Sequence, residues 1–213
     1  MRSSVVVLAG GFSKRFGRDK GLVELKGKPL AMHLLEKIGE VVEEKVIVVG
    51  SEAQKSAFMP LFEHLADVIV DKYDGNGPLI GALTGFETVR NEYTLLLPCD
   101  TPLISGEIAA LLLDCSVERT AAIPRWPNGW LEPLQAAYHT KSAIVAAKKA
   151  LEQGEMNMRS MIDYLHDIRY ISTLVLRRMD AELLTFFNIN TIADLRKAES
   201  MLDPSKSRKL ARE

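Results

Sequence analysis

The 213-residue chain carries 27 Lys and Arg against 28 Asp and Glu, a formal net charge of −1, with 47% hydrophobic and 26% charged residues. That balance excludes a general nucleic-acid binder, which needs a clustered excess of cations, and no apolar run reaches the ~20 residues of a membrane helix. A chain this long buries about 70% of the surface it exposes when unfolded, so its core requires neither disulfides nor a structural metal.

The amino terminus runs straight into Val5-Val6-Val7-Leu8-Ala9, without the basic region and cleavage site of a signal peptide. Cys99 and Cys115 have no partner at zinc-ligand spacing and read as two buried free thiols. The expected location is the cytoplasm. Strands are predicted over 4–9, 45–49, 67–70 and 93–97, alternating with helices over 29–42, 52–64, 78–90 and 105–115. Nearly all-apolar strands in this rhythm imply an α/β three-layer sandwich around a mostly parallel sheet. Pro29 and Pro78 suit first helical positions and Ser105 an N-cap. Beyond residue 116 the reading is strands over 120–124 and 131–139, helices over 140–153 and 158–166, and a strand over 168–172. A short strand-like 186–189 and a last helix over 191–202 complete it. Residues 1–202 read as one domain, and the basic 203–213 segment as a mobile tail.

The loop after the first strand reads LAGGFSKRFGRDK over residues 8–20. Glycines at a strand's carboxyl end let backbone N–H groups approach an anion. The loop is not a P-loop, because Gly17 is followed by Arg18-Asp19, and it lacks the GxGxxG dinucleotide spacing. Arg15 offers a planar fork and Lys20 a point charge, which together can hold a triphosphate; the alternative is a solvated surface loop. Residues 12–28 hold six cations against Asp19 and Glu24, a local +4 that leaves −5 for the rest.

Asp100 follows the predicted strand 93–97 and should face that loop. There it either ligates Mg²⁺, which takes few protein ligands, or caps a turn. Gly77-Pro78 opens a helix whose free N–H groups suit a phosphate or base edge, and Gly77, Gly81 and Gly85 leave one helix face bare, read at Gly85 as close packing on the sheet. Asp74 and Asn76 read as turn residues. Thr191 with Asp194 three residues on reads as a capping pair, with Asn190 as the alternative cap. Trp126 and Trp130 flank a turn and either cover a ligand or form a hydrophobic lid. His33, His64, His139 and His166 are scattered and read as packing or surface residues.

These motifs, with LVELKGKPL over 22–30, PCDTPL over 98–103, EPLQAAY over 132–138 and FNINT over 187–191, resemble the molybdenum cofactor guanylyltransferases (MobA family) along about the whole chain to Leu202. The resemblance implies the nucleotide-diphospho-sugar transferase fold and Mg-dependent transfer of GMP from GTP to the terminal phosphate of molybdenum-molybdopterin. Molybdopterin guanine dinucleotide and pyrophosphate would form. It implies nucleotide contacts from Leu8, Ala9, Gly10, Gly11, Ser13, Lys20, Asp71, Gly77 and Asp100, and acceptor contacts from Asn188 and Asn190. Arg15, Lys20 and Asp100 would be catalytic, with Asp100 on the metal. Transient contact with other cofactor-biosynthesis proteins is implied as well. The chain departs from the pattern at Glu132, where relatives carry His, at Ile192, where they carry Pro, and at Gly50-Ser51, where some carry Asn. Rival readings are a CTP-dependent molybdopterin cytidylyltransferase, a sugar- or polyol-phosphate nucleotidyltransferase and a non-catalytic nucleotide-binding module.

Overall fold

A run of small and apolar residues makes β1 (Ser3–Leu8) a strand that is buried along nearly its whole length, as the middle of a sheet requires. The computed structural model describes residues 2–13, 15–73, 75 and 77–202, with only the backbone of Phe12 and Ser13. Two ribbons come next, β2 (Phe12–Ser13) with β3 (Arg18–Asp19) and β4 (Glu24–Leu25) with β5 (Lys28–Pro29). The chain continues through α1 (Leu30–Lys37), β6 (Glu44–Val49), α2 (Glu52–Phe62), β7 (Asp67–Val70), α3 (Pro78–Thr88), β8 (Tyr93–Pro98) and α4 (Gly106–Ser116). Then follow β9 (Ala121–Arg125), β10 (Ala136–His139), α5 (Thr140–Glu152), α6 (Met158–Ile162), β11 (Ile168–Ser172), α7 (Thr173–Leu176) and α8 (Ile192–Met201).

Seven strands form the main sheet in the order β11-β9-β10-β8-β1-β6-β7. Every pairing is parallel except those of β10, which runs antiparallel to β8 and β9. The expected mostly parallel three-layer sandwich is observed. Side chains alternate across β1: Val5 and Val7 join α1, α2 and α4 on one face, whereas Val6 joins α3, α5 and α6 on the other. A Cβ on Gly85 would overlap the Val6 side chain, so α3 lies on the sheet at a distance that only glycine permits. A third, smaller cluster has Leu25, Leu30, Ile189 and Ala198 at its centre and fastens α8 to the segment after the glycine-rich loop. Among the described residues no helix is long and apolar enough to cross a membrane.

Several boundaries differ from expectation. The first helix ends at Lys37 instead of 42, because Gly39 breaks it and Glu43 N–H already bonds Ser3 C=O at the start of strand pairing. Pro29 is its N-cap residue and ends β5, one position before the expected site. β10 starts at Ala136 rather than 131, since Pro133 has no N–H for a ladder; Leu131 makes only an isolated bridge to Arg125. α6 stops at Ile162 because His166 and Asp167 carbonyls are drawn to Thr120 beside β9, with Asp167 left-handed at φ 60°. Residues 186–189 are not a strand: Leu184–Phe186 is a 3-10 turn, and Ile189 instead bonds Asp100 C=O across the strand ends. Only Cys99 is buried; Cys115 is half-buried, being off the Ile108–Leu112–Ser116 stripe that α4 turns inward.

Candidate active site

Four parallel strands end on one side of the sheet, and their carboxyl ends set the site. Leu8 pairs with Val48 and Pro98 on either hand, Ala9 N–H bonds Val48 C=O at 2.8 Å, and Cys99 N–H bonds Leu8 C=O at 3.0 Å. Asp71 N–H bonds Val49 C=O at 2.8 Å. The segments after β1, β6, β7 and β8 therefore meet. Between them lies a cleft of about 560 Å³, lined by Leu8, Gly10, Gly11, Gly50, Asp71 and Gly77 among others. Much of its wall is bare backbone, which suits close approach by an anion.

The second part of the site is charged. Lys20 donates to Asp100 Oδ2 and, at 2.6 Å, to Asn190 Oδ1. Asp100 is buried by the strand end and by Ile189, whose N–H bonds its carbonyl at 2.9 Å. Lys20 opens a 3-10 turn, and Gly21 behind it is close-packed: a Cβ there would lie 3.0 Å from the Phe58 ring and 3.4 Å from Cys99. Burial pushes the Cys99 thiol pKa up, and the neighbouring Asp100 charge adds to this, so Cys99 is a neutral packing group.

Asp100 Oδ1 is buried without a hydrogen-bond partner among the described residues. A carboxylate oxygen with unused accepting capacity fits a hard divalent cation, which otherwise fills its shell with water and phosphate oxygens. Among the described residues no cluster of three or more His, Cys, Asp or Glu could hold a metal.

The expected site residues divide between these two parts. Leu8, Gly10, Gly11, Asp71 and Gly77 line the cleft, while Lys20, Asp100 and Asn190 form the charged cluster beside it. Lys20 N–H bonds Gly11 C=O at 3.3 Å and joins the two. Ala9 is wholly buried and contributes its backbone to the sheet. Asp71 is fixed by Thr84, whose hydroxyl donates to Oδ1 at 2.5 Å. Arg15 is exposed in the turn of the β2–β3 ribbon, with no salt bridge among the described residues. Asn188 is exposed, and its side chain does not join the Lys20–Asn190 bond. The Ser13 side chain lies outside the described residues, as do Lys14, Asp74, Asn76 and 203–213.

The local +4 is less concentrated than the sequence implied. Lys28 is paired with Glu36 at 2.8 Å, and Lys26 is exposed in a Lys26-Gly27 hairpin turn with both residues at positive φ. Among the described residues Lys20 is the loop cation whose contacts reach the site. Glu132 accepts from the Trp126 indole at 2.7 Å, and Trp126 meets Phe186 edge-on, whereas Trp130 is 71% exposed. Burial raises the Glu132 pKa above the ordinary carboxylate value, opposed by that indole bond. His139 caps α5 and His33 bonds Leu25 C=O, so these two are structural.

Two residues around the site escaped the sequence reading. Gln54 bonds Asp19 and Gly50, and its signal was available: Ser51 and Gln54 have the spacing of a capping box. Tyr73 lines the cleft and donates to Glu87 at 2.8 Å, a bond that raises its pKa; nothing in the local pattern marked it.

The model of the MobA-like NTP transferase domain matches residues 5–168. A Methanosarcina mazei protein named "Probable molybdenum cofactor guanylyltransferase" is 33% identical over 96% of this chain and 92% of its own length. The crystal structure of molybdopterin-guanine dinucleotide biosynthesis protein A from Archaeoglobus fulgidus is 30% identical, with a TM-score of 0.80 over 93% of this chain and 97% of that one. The 2-C-methyl-D-erythritol 4-phosphate cytidylyltransferase of Thermus thermophilus shares the fold, at 17% identity and a TM-score of 0.71 over 94% of this chain and 98% of that one.

Proposed function

From a chain that belongs to the MobA-like NTP transferase family, and is thus a nucleotidyltransferase, we propose the specific reaction: transfer of GMP from GTP to the terminal phosphate of molybdenum-molybdopterin. The products are molybdopterin guanine dinucleotide and pyrophosphate. Residues 1–202 carry it as one unit, in the cytoplasm. The names of the relatives support the guanine base and the molybdopterin acceptor. The observation that supports the chemistry is the Lys20–Asp100–Asn190 cluster beside a glycine-walled cleft.

In this reading the nucleoside and phosphates lie along the Gly10-Gly11 backbone, between Asp71 and the Gly77 end of α3. An acceptor phosphate oxygen forms the new bond to the α-phosphorus. The α–β bridging bond breaks, and its electron pair leaves with pyrophosphate. The attacking group is already an anion, so no general base is needed and the protein contributes positioning and charge neutralisation. Lys20 holds the α-phosphate and Arg15 the outer phosphates. Asp100 would hold Mg²⁺, which when bound neutralises triphosphate charge and polarises the α-phosphate. Asn190, hydrogen-bonded to Lys20, and Asn188 stand on the acceptor side.

Thermal shift with GTP, CTP, ATP and UTP, each with and without Mg²⁺, tests the base. At a hundredfold excess over Kd, GTP with Mg²⁺ should stabilise by about 2.7 kcal/mol. Stabilisation by CTP alone overturns the guanylyl assignment in favour of a cytidylyl one.

A further inference from the structure

We propose that Gln54 is a positioning residue for nucleotidyl transfer: its side-chain amide clasps Asp19, and so fixes the glycine-rich loop with Lys20 beside Asp100. In its activity arm the proposal rests on the reading above; its structural arm does not.

The contacts use the amide from both ends. Nε2 donates to Asp19 Oδ1 at 2.6 Å, with Gly10 C=O at 3.5 Å, while Oε1 accepts from Gly50 N–H at 2.7 Å. The amide thus spans the seam where two glycine backbones touch. A Cβ on Gly10 would stand 3.1 Å from Gly50 N, and one on Gly50 would stand 3.2 Å from Gly10 O. Gly10 and Gly50 bring no side chain to this seam, so among the described residues the side-chain link across it is Gln54's.

The consequence for Lys20 follows from helix geometry. Gln54 and Phe58 are four residues apart and share one face of α2. Gln54 grips Asp19 and Phe58 packs on Gly21, so the residues on both sides of Lys20 are held by the same helix. Lys20 itself is tied by backbone to Gly11 and by side chain to Asp100 and Asn190. Releasing Asp19 frees the amino-terminal side of this arrangement.

The residue type is specified by the chemistry. A primary amide offers, on two separate atoms, a donor for the carboxylate and an acceptor for the Gly50 N–H. Leucine would leave both without a partner, and glutamate would set a second carboxylate against Asp19. The main-chain cap of α2 does not depend on the amide, because Gln54 N–H bonds Ser51 Oγ at 3.2 Å whatever the side chain. Gln54→Leu should therefore leave the helix and the fold in place.

The structural arm is limited trypsin digestion of the free full-length protein, with cleavage after Arg15 and Arg18 followed by mass spectrometry. Gln54→Leu should be cut about tenfold faster at those bonds, as expected for a loop that has lost a charge-assisted hydrogen bond. Cleavage at the wild-type rate overturns the proposal. The activity arm uses reversed polarity. Gln54→Glu should lower kcat about tenfold, and adding Asp19→Asn should restore it to within about threefold, because the new amide donates to the new carboxylate. A double variant no better than Gln54→Glu alone overturns the clasp. If the wild type transfers no nucleotide at all, the functional reading fails, while the digestion result still decides the clasp.

Discussion

Lys20 and Asp100 lie 80 residues apart in the chain and are joined by a direct ion pair at the carboxyl end of the sheet. Both side chains are largely withdrawn from solvent, at 20% and 11% exposure. Adjacent parallel strands β1 and β8 bring them together. The pair is anchored further by Asn190, which reaches Lys20 from beyond the last strand.

Asp100→Asn should abolish transfer while sparing the fold. One oxygen of Asp100 takes Lys20 and the other has no partner among the described residues, and in the proposed reaction it is the carboxylate charge that the metal requires. The expected loss in kcat is about 10²–10³-fold, read by pyrophosphate release, with the melting temperature within a few degrees of wild type. Unchanged turnover would remove Asp100 from the catalytic set.

Two glycines separate packing from ligand approach. Gly85→Ala forces a methyl into Val6 and should destabilise by about 1–3 kcal/mol in urea unfolding. Gly11→Ala meets nothing within 4 Å and should leave stability unchanged. As Gly11 lines the cleft, the added methyl should raise KM for the nucleotide several-fold. A stable Gly85 variant would contradict the close approach of α3 to β1.

Asp194 closes the capping box of α8. Its carboxylate accepts from the Thr191 hydroxyl and from the N–H groups of Thr191 and Asn190, and these bonds, the hydroxyl first, hold its pKa below the ordinary value of 3.8. A lowered folded-state pKa gives stability that is present above pH ~3.9 and lost as pH falls through the folded value. Asp194→Asn should therefore be less stable than wild type at pH 6, with the gap closing below pH ~4. Chemical denaturation at a series of pH values reads this directly. A gap independent of pH would mean that the cap does not depend on the charge.

Glu132 carries the opposite sign. Burial raises its pKa, so its contribution is fully present below the unfolded value of about 4.3 and is lost as pH rises through the folded value. Glu132→Gln keeps an acceptor for Trp126 and removes the titration. The variant should gain stability relative to wild type between pH 4 and pH 7. A parallel pair of stability curves would show that Glu132 titrates normally.

Much of the fold follows from local pattern. The apolar runs of β1, β6, β7 and β8 and the helices between them are set by hydrophobic periodicity; Ser105 and the Thr191–Asp194 pair cap their helices, and Pro78 takes the first helical position, as their chemistry predicts. Errors fell where long-range pairing overrules local preference. Residues 186–189 have strand-like residues but pair across strand ends, and α6 stops where Thr120 claims the His166 and Asp167 carbonyls. The motifs marked Lys20, Asp100 and Asn190 individually. They did not reveal that Asn190 bonds Lys20, or that Gln54 holds Asp19.

Local pattern is enough to specify a mostly parallel α/β sandwich, a glycine-rich loop at the end of its first strand, and a near-neutral total charge with a cationic segment at 12–28. Strand and helix periods are local, and a loop's place after a strand is fixed by covalent connection. How those charges are used is settled by contacts between distant segments. Lys28 is taken by Glu36, Lys26 stands in an exposed hairpin, and Lys20 reaches Asp100 and Asn190. Charge interactions depend on distance in space, and the register of β1 against β8 and the packing of α8 set those distances.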